Sequence, residues 1–243
     1  MPVIGCNCAV CHSADPRDQR LRSAALIQAG DKNIVIDCGP DFRQQLLRTR
    51  IHSLDAILIT HEHNDHIIGL DDVRPFNFMT RRSMPIYATE RVQRELKQRF
   101  AYAFAENPYP GAPSFSLQTI TKDQPFEVAG ILVIPIEVLH GKMPILGFRI
   151  GEVTYLTDVK SIPETEFPKI MGTRILVLSA LHHSVHYSHM NLEEALEMAA
   201  FIGAEQTYLT HSSHSMGLYA EVAKTLPPGV QLAYDGLTVG VDC

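Results

Sequence analysis

The chain has no tryptophan, no long apolar run and no excess of positive charge. No stretch approaches the ~20 consecutive apolar residues that a membrane-spanning helix needs. The N-terminus has no basic region followed by a long apolar core, so no secretory leader is expected and the expected address is the cytoplasm. Lys and Arg number 21 against 27 Asp and Glu, a formal charge of −6. That balance is a poor electrostatic footprint for gripping a long nucleic acid. It leaves room for a small anionic substrate, because bound divalent cations would make a pocket locally positive. Internal linkers, charge runs, low-complexity segments and clear short repeats are also missing. The 243 residues are therefore read as one domain, 1–243.

What is present is histidine. There are twelve, most of them in clusters, in a chain that is 45% hydrophobic and otherwise ordinary for a globular protein. The stretch Thr60-His61-Glu62-His63-Asn64-Asp65-His66 puts three imidazoles and two carboxylates directly after the apolar run Leu54 to Ile59. That run is short and rich in Ile and Leu, and it reads as a buried strand. Ionisable residues are seldom packed at such a place unless paired or metal-bound. Imidazole suits zinc, iron and other first-row metals, and carboxylate widens the choice to manganese.

Five cysteines stand at 6, 8, 11, 38 and 243, and Cys6, Cys8 and Cys11 have the spacing C-x-C-x-x-C. Thiolates so close in sequence can share one tetrahedral zinc, with a fourth ligand from elsewhere.

Along the chain, Leu21–Gln28 and Asn33–Asp37 are expected as strands around Ala29-Gly30-Asp31-Lys32. A helix is expected over 41–48, another beginning near Ile67, and a longer one over 90–104. Strands are expected at 85–88, 126–128, 131–138, 146–150, 153–156, 175–180, 206–210, 231–234 and 237–241. The proline-rich Glu106–Pro113 must be loop. Asn191 is the expected N-cap of a helix to Phe201, and 216–226 is expected to be helical. Strands in two batches, each mixed with helices, favour two sheets sandwiched between helices. His61, His140, Asp158 and His211 each lie at or just beyond the C-terminal end of an apolar strand. Five imidazoles and two carboxylates (His61, His63, Asp65, His66, His140, Asp158, His211) suit two metals about 3.5–4 Å apart.

The H-x-H-x-D-H pattern of 61–66, with His140, Asp158 and His211 after it, resembles the metallo-β-lactamase superfamily over nearly the whole chain. The resemblance implies an α/β (α+β) fold, a four-layer αββα sandwich. It also implies His61, His63 and His140 on one divalent ion (Mn2+ or Zn2+) and Asp65, His66 and His211 on a second. Asp158 would bridge them, and Asp65 counts among the catalytic residues. Asp37 stands where the family has a carboxylate that orients a ligand histidine. Within the superfamily the chain looks most like the PhnP-type phosphodiesterases, relatives of the ribonuclease Z branch. That likeness implies a structural zinc on Cys6, Cys8, Cys11 and His214. It implies His189 as a protonated group assisting phosphodiester cleavage and Asp235, in Tyr234-Asp235-Gly236, as a supporting carboxylate. Homodimers are common in that branch. Relatives usually begin with a strand and a glycine-rich loop ahead of the segment matching Pro2 to Cys6, so the N-terminal edge strand is expected to be absent.

The expected activity is hydrolysis of small phosphodiesters, cyclic ones included, by water made acidic at paired cations. The rivals are tRNA 3′-end endoribonuclease activity, thioester or lactam hydrolysis at the same metals, and a metal-stabilised binding module without catalysis.

Overall fold

The computed structural model describes residues 1–241. They form two compact units, residues 22–132 and residues 1–21 with 133 onward.

The 22–132 unit carries a five-stranded sheet in the order β1-β2-β3-β4-β5. The strands are β1 (Ala25–Ala29), β2 (Lys32–Ile36), β3 (Ala56–Leu58), β4 (Met84–Ala88) and β5 (Phe115–Thr119). β1 and β2 form the expected hairpin, and β2 through β5 are mutually parallel. Parallel strands are covered on both faces, which explains the unbroken apolar reading of β3. Four helices belong to this unit: α1 (Phe42–Thr49), α2 (Asn64–Ile67), α3 (Arg74–Thr80) and α4 (Glu90–Arg99). Thr89 caps α4 through its hydroxyl, and Val92 and Leu96, one turn apart, enter the core with Ile57, Ile59, Leu70 and Ile86. Burying each such side chain stabilises the unit by about 1.5–3 kcal/mol.

The second sheet has the order β12-β11-β10-β9-β8-β7-β6. Its strands are β6 (Phe126–Val128), β7 (Ile131–His140), β8 (Met143–Ile150), β9 (Val153–Leu156), β10 (Ile175–Ser179), β11 (Gln206–Thr210) and β12 (Val230–Leu232). β7, β8 and β9 are antiparallel neighbours, and β9 through β12 are parallel. Helices α5 (Phe167–Ile170), α6 (Leu192–Ile202) and α7 (Tyr219–Val222) complete this unit. A capping box between Asn191 and Glu194 starts α6, and Gly203 at φ 69° ends it. Leu192, Ala195, Ala199 and Ile202 form its buried face, against a core that includes Leu178 and Leu209.

Several boundaries differ from expectation. The strand read over Leu54–Ile59 is hydrogen-bonded as β3 only over Ala56–Leu58, although Leu54 and Ile59 are buried beside it. The helix expected from Ile67 begins at Asn64, with extended His63 as its N-cap and Asp65 in its first turn. A carboxylate there is favoured by the helix dipole. α4 stops at Arg99 rather than Phe104, because Phe100 and Phe104 both pack on Phe115 of β5, a strand the sequence pattern did not suggest. Tertiary packing here outweighs helix propensity. The expected helix over 216–226 is reduced to α7, preceded by a 3₁₀ turn, His214–Met216. Leu237–Val241 is not a strand: Leu237 N–H closes a turn onto Tyr234 O (3.1 Å), and Gly236 and Gly240 weaken strand formation. Cys243 lies outside the described residues. No helix among them is long and apolar enough to cross a membrane.

Candidate metal centre

In the 22–132 unit, the C-terminal ends of the adjacent parallel strands β2 and β3 deliver Asp37 and the Thr60–His66 motif. Asp37 is fully buried and has φ 65°, a left-handed conformation uncommon for a residue with a side chain. Its carboxylate accepts the Thr60 backbone N–H at 2.9 Å and faces the Thr60 hydroxyl at 2.9 and 3.0 Å. It also lies 2.7 Å from His66 Nδ1. That contact fixes the tautomer and leaves Nε2 as the donor atom, the usual relation of a carboxylate to a metal-binding histidine. His61 Nε2 stands 3.1 Å from His63 Nδ1, and His66 Nε2 stands 3.6 Å from Asp65 Oδ2. Nitrogens held at about 2.0–2.1 Å by one tetrahedral metal lie about 3.3 Å apart, so the His61–His63 spacing fits a shared cation.

The motif is backed closely by the turn after β2. Cys38 N–H donates to His66 O at 2.6 Å, and Gly69 N–H to Cys38 O at 2.9 Å. A methyl group at Gly39 would stand 2.1 Å from Asp65 O, and one at Gly69 would stand 2.0 Å from Gly39 O. Both positions must be glycine for the two backbones to touch. Burial pushes the Cys38 thiol well above its usual range, with Asp37 and Asp72 adding to the effect, so this cysteine is inert packing.

The motif residues outside the implied ligand set are held from α4. Arg91 Nε lies 3.1 Å from Glu62 Oε1, and Arg99 Nη1 donates to Glu62 O (2.6 Å) and Asn64 Oδ1 (2.7 Å). No local pattern in the sequence signals this support, since the two arginines lie some thirty to forty residues downstream on an ordinary amphipathic helix.

In the other unit, three side chains come from strand ends on one sheet edge. β7 points the same way as β9, because each is antiparallel to β8; β9 and β11 flank β10 in parallel. Their C-terminal ends supply His140, Asp158 and His211. His140 Nδ1 lies 3.0 Å from Asp158 O and 2.9 Å from Ser188 O, so it donates to backbone carbonyls and leaves Nε2 as the donor atom. Asp158 (φ 58°) and His211 (φ 56°) are both left-handed, and His211 Nε2 stands 3.1 Å from Asp158 Oδ1. Such backbone strain costs about 1–3 kcal/mol per residue and clusters at functional sites.

His189 belongs with this group. It stacks on His211 (centroids 5.2 Å, 19° between planes) and meets His140 edge-on at 4.6 Å. Donor atoms of Asp158, His189 and His211 all lie within 4.8 Å of one another. Burial, the largest cause, lowers the His189 pKa to about 3, with His211, His140 and His186 adding and Asp158 opposing. The imidazole is therefore neutral at pH 7 in the free protein, where a protonated group was expected.

The same unit holds Cys6, Cys8, Cys11 and His214. Their sulfurs lie 3.3, 3.5 and 3.5 Å from His214 Nδ1. Tetrahedral zinc with Zn–S of about 2.3 Å and Zn–N of about 2.0–2.1 Å separates S and N by about 3.6 Å. The Cys8 thiol is lowered to about 6, first by a backbone hydrogen bond at Cys11 and then by His214, which favours the thiolate that a metal requires. Asp235 stands against the N-terminal segment, where its carboxylate accepts Leu21 N–H at 3.2 and 3.3 Å.

The family model described as the beta-lactamase superfamily domain matches residues 32–212. An octanoyltransferase of Porphyromonas gingivalis is 42% identical over 245 residues. That alignment covers 100% of this chain and 49% of the relative, so the chain spans about half its length. A ribonuclease Z of Methanopyrus kandleri is 25% identical over 277 residues, 94% of each chain. The solved structure of a diphosphatase from the PhnP family superposes with a TM-score of 0.91 at 42% identity, covering 98% of this chain and 90% of that one. With the motif, the strand-end donors and a family match spanning most of its length, the chain belongs to the metallo-β-lactamase superfamily of metal-dependent hydrolases and has that superfamily's α/β fold.

Proposed function

We propose that the protein hydrolyses a small phosphate carrying two substituents, a phosphodiester or an internal diphosphate linkage. The observation that carries this is the likeness, at 42% identity over 98% of the chain, to a diphosphatase of the PhnP family. We read residues 1–243 as one family domain, a reading supported by a family match that runs through both compact units.

In this reading His61, His63, Asp65, His66, His140, Asp158 and His211 hold two divalent cations, zinc or manganese. Such a pair supplies an acidified water and positive charge for the phosphoryl oxygens. The chain's own residues do the rest. Asp37, fixed by Thr60, keeps His66 Nδ1 protonated and aims Nε2. The carbonyls of Asp158 and Ser188 do the same for His140. His189, buried beside His140 and His211, hydrogen-bonds the phosphoryl or departing oxygen from a neutral ring. The Cys6–Cys8–Cys11–His214 cluster holds a zinc that ties the N-terminal segment to the turn after β11.

The test is elemental analysis of the purified protein combined with a panel of phosphodiester, diphosphate, octanoyl thioester and RNA substrates. The expected result is up to three metal equivalents, one lost in Cys8→Ser, and turnover of small phosphodiesters or diphosphates. A second reading, acyl thioester hydrolysis, is favoured by the octanoyltransferase relative. Cleavage of the octanoyl thioester alone would replace the first reading with the second. RNA cleavage that falls steeply with salt would replace both.

A further inference from the structure

The loop between β10 and α6, His182 to His189, is anchored at its base. Leu181 N–H donates to Met190 O (3.0 Å), Met190 N–H to Val159 O (2.7 Å) and Leu192 N–H to His182 O (2.8 Å). His183 Nε2 lies 2.8 Å from Met216 O, and Ser188 is buried under the contact from His140. The tip behaves differently. Val185 is 79% exposed and Tyr187 83% exposed.

A single exposed tyrosine is ordinary on a protein surface. Tyr187 differs because it ends a row of rings that starts at the candidate centre. His189 touches His140 and His211; His186 lies 5.1 Å from His189; Tyr187 lies 4.7 Å from His186. Burial falls along the row, from His189 to half-buried His186 to exposed Tyr187. A group bound at His189 thus has an aromatic face two ring-steps away, on a loop anchored at its base, which limits the ordering that binding costs.

We propose that Tyr187, backed by His186, is a stacking platform that selects substrates carrying a flat aromatic ring, such as a nucleobase, on one side of the phosphate. Base–aromatic stacking is sequence-tolerant, because every base has a π-face. This deepens the phosphodiester reading and rests on it for the position of the phosphate. The platform selects binding without touching the reacting bond, so its loss raises KM and leaves kcat in place.

The experiment measures equilibrium binding of adenosine 5′-monophosphate and ribose 5-phosphate, which share a phosphate and differ by the base, to wild type, Tyr187→Ala and Tyr187→Phe. Wild type should prefer the nucleotide by about 5- to 150-fold. Tyr187→Ala should abolish the preference and Tyr187→Phe retain it, with unfolding midpoints unchanged because the side chain is exposed. Equal binding of the two probes by wild type, or a preference that survives in Tyr187→Ala, overturns the platform. Hydrolysis of phosphodiesters is scored separately. A protein that prefers the nucleotide but cleaves no phosphodiester or diphosphate keeps the platform and loses the proposed activity. One that cleaves them without base preference keeps the activity and loses the platform.

Discussion

The Thr60–His66 motif and the His140, Asp158 and His211 trio reach similar donor spacings by opposite routes. In the motif, four candidate ligands follow one strand and enter the first turn of one helix, so local geometry places them and Asp37 orients His66, one of the two that are fully buried. In the trio, each residue leaves a different strand, and two of the three adopt a left-handed backbone to turn their side chains at the sheet edge. A compact sequence motif needs one well-formed turn. A dispersed one needs the whole sheet in register, because a shift in pairing moves its side chains.

The sharpest way to break this comparison is to remove one donor from each side. His61→Ala and His211→Ala should each lower turnover by on the order of 10⁴ and reduce metal content, measured by steady-state kinetics and elemental analysis. If either variant keeps wild-type turnover, the two sets do not serve one reaction. His189→Ala comes next. It should lower kcat by about 10² to 10⁴ while metal content stays intact if, as proposed, His189 acts on substrate; loss of metal would instead make it a ligand beside Asp158 and His211.

A subtler pair sharpens the contrast between carboxylates. Asp37→Asn should weaken metal affinity by about 10- to 100-fold in a chelator competition, because it orients a donor histidine. Asp235→Asn should change that affinity far less, since its carboxylate accepts the Leu21 N–H in the N-terminal segment. Equal losses would place Asp235 in the metal's support as well. The smallest expected effect is on stability. Gly69→Ala must push apart the turn after β2 and the 3₁₀ segment Ile68–Val73 that follows α2, at about 1–3 kcal/mol in chemical denaturation. An unchanged midpoint would mean that the close approach is not needed.

The ligand candidates were legible because imidazole and carboxylate in tight spacing have few other uses, and because strand ends can be read from apolar runs. The ranges for β11 and α6 were close because local cues bound them: a short run ending at His211, and Asn191 as an N-cap ahead of the helix. α4 ran short of its expected end, and β5 was not foreseen, because Phe100, Phe104 and Phe115 settle their conformations by packing on one another. Periodicity along the chain carries no information about such a meeting.

Sequence alone determined the donor inventory, the superfamily resemblance and the cysteine cluster, since each depends on residue type and short spacing. Tertiary structure decided which nitrogen of His66 is held by a carboxylate and which nitrogen of His140 by backbone carbonyls. It decided the left-handed turns at Asp37, Asp158 and His211, and the path of rings from His189 out to Tyr187. Those features depend on strand direction and on contacts between residues distant in the chain, which a linear pattern cannot encode one position at a time.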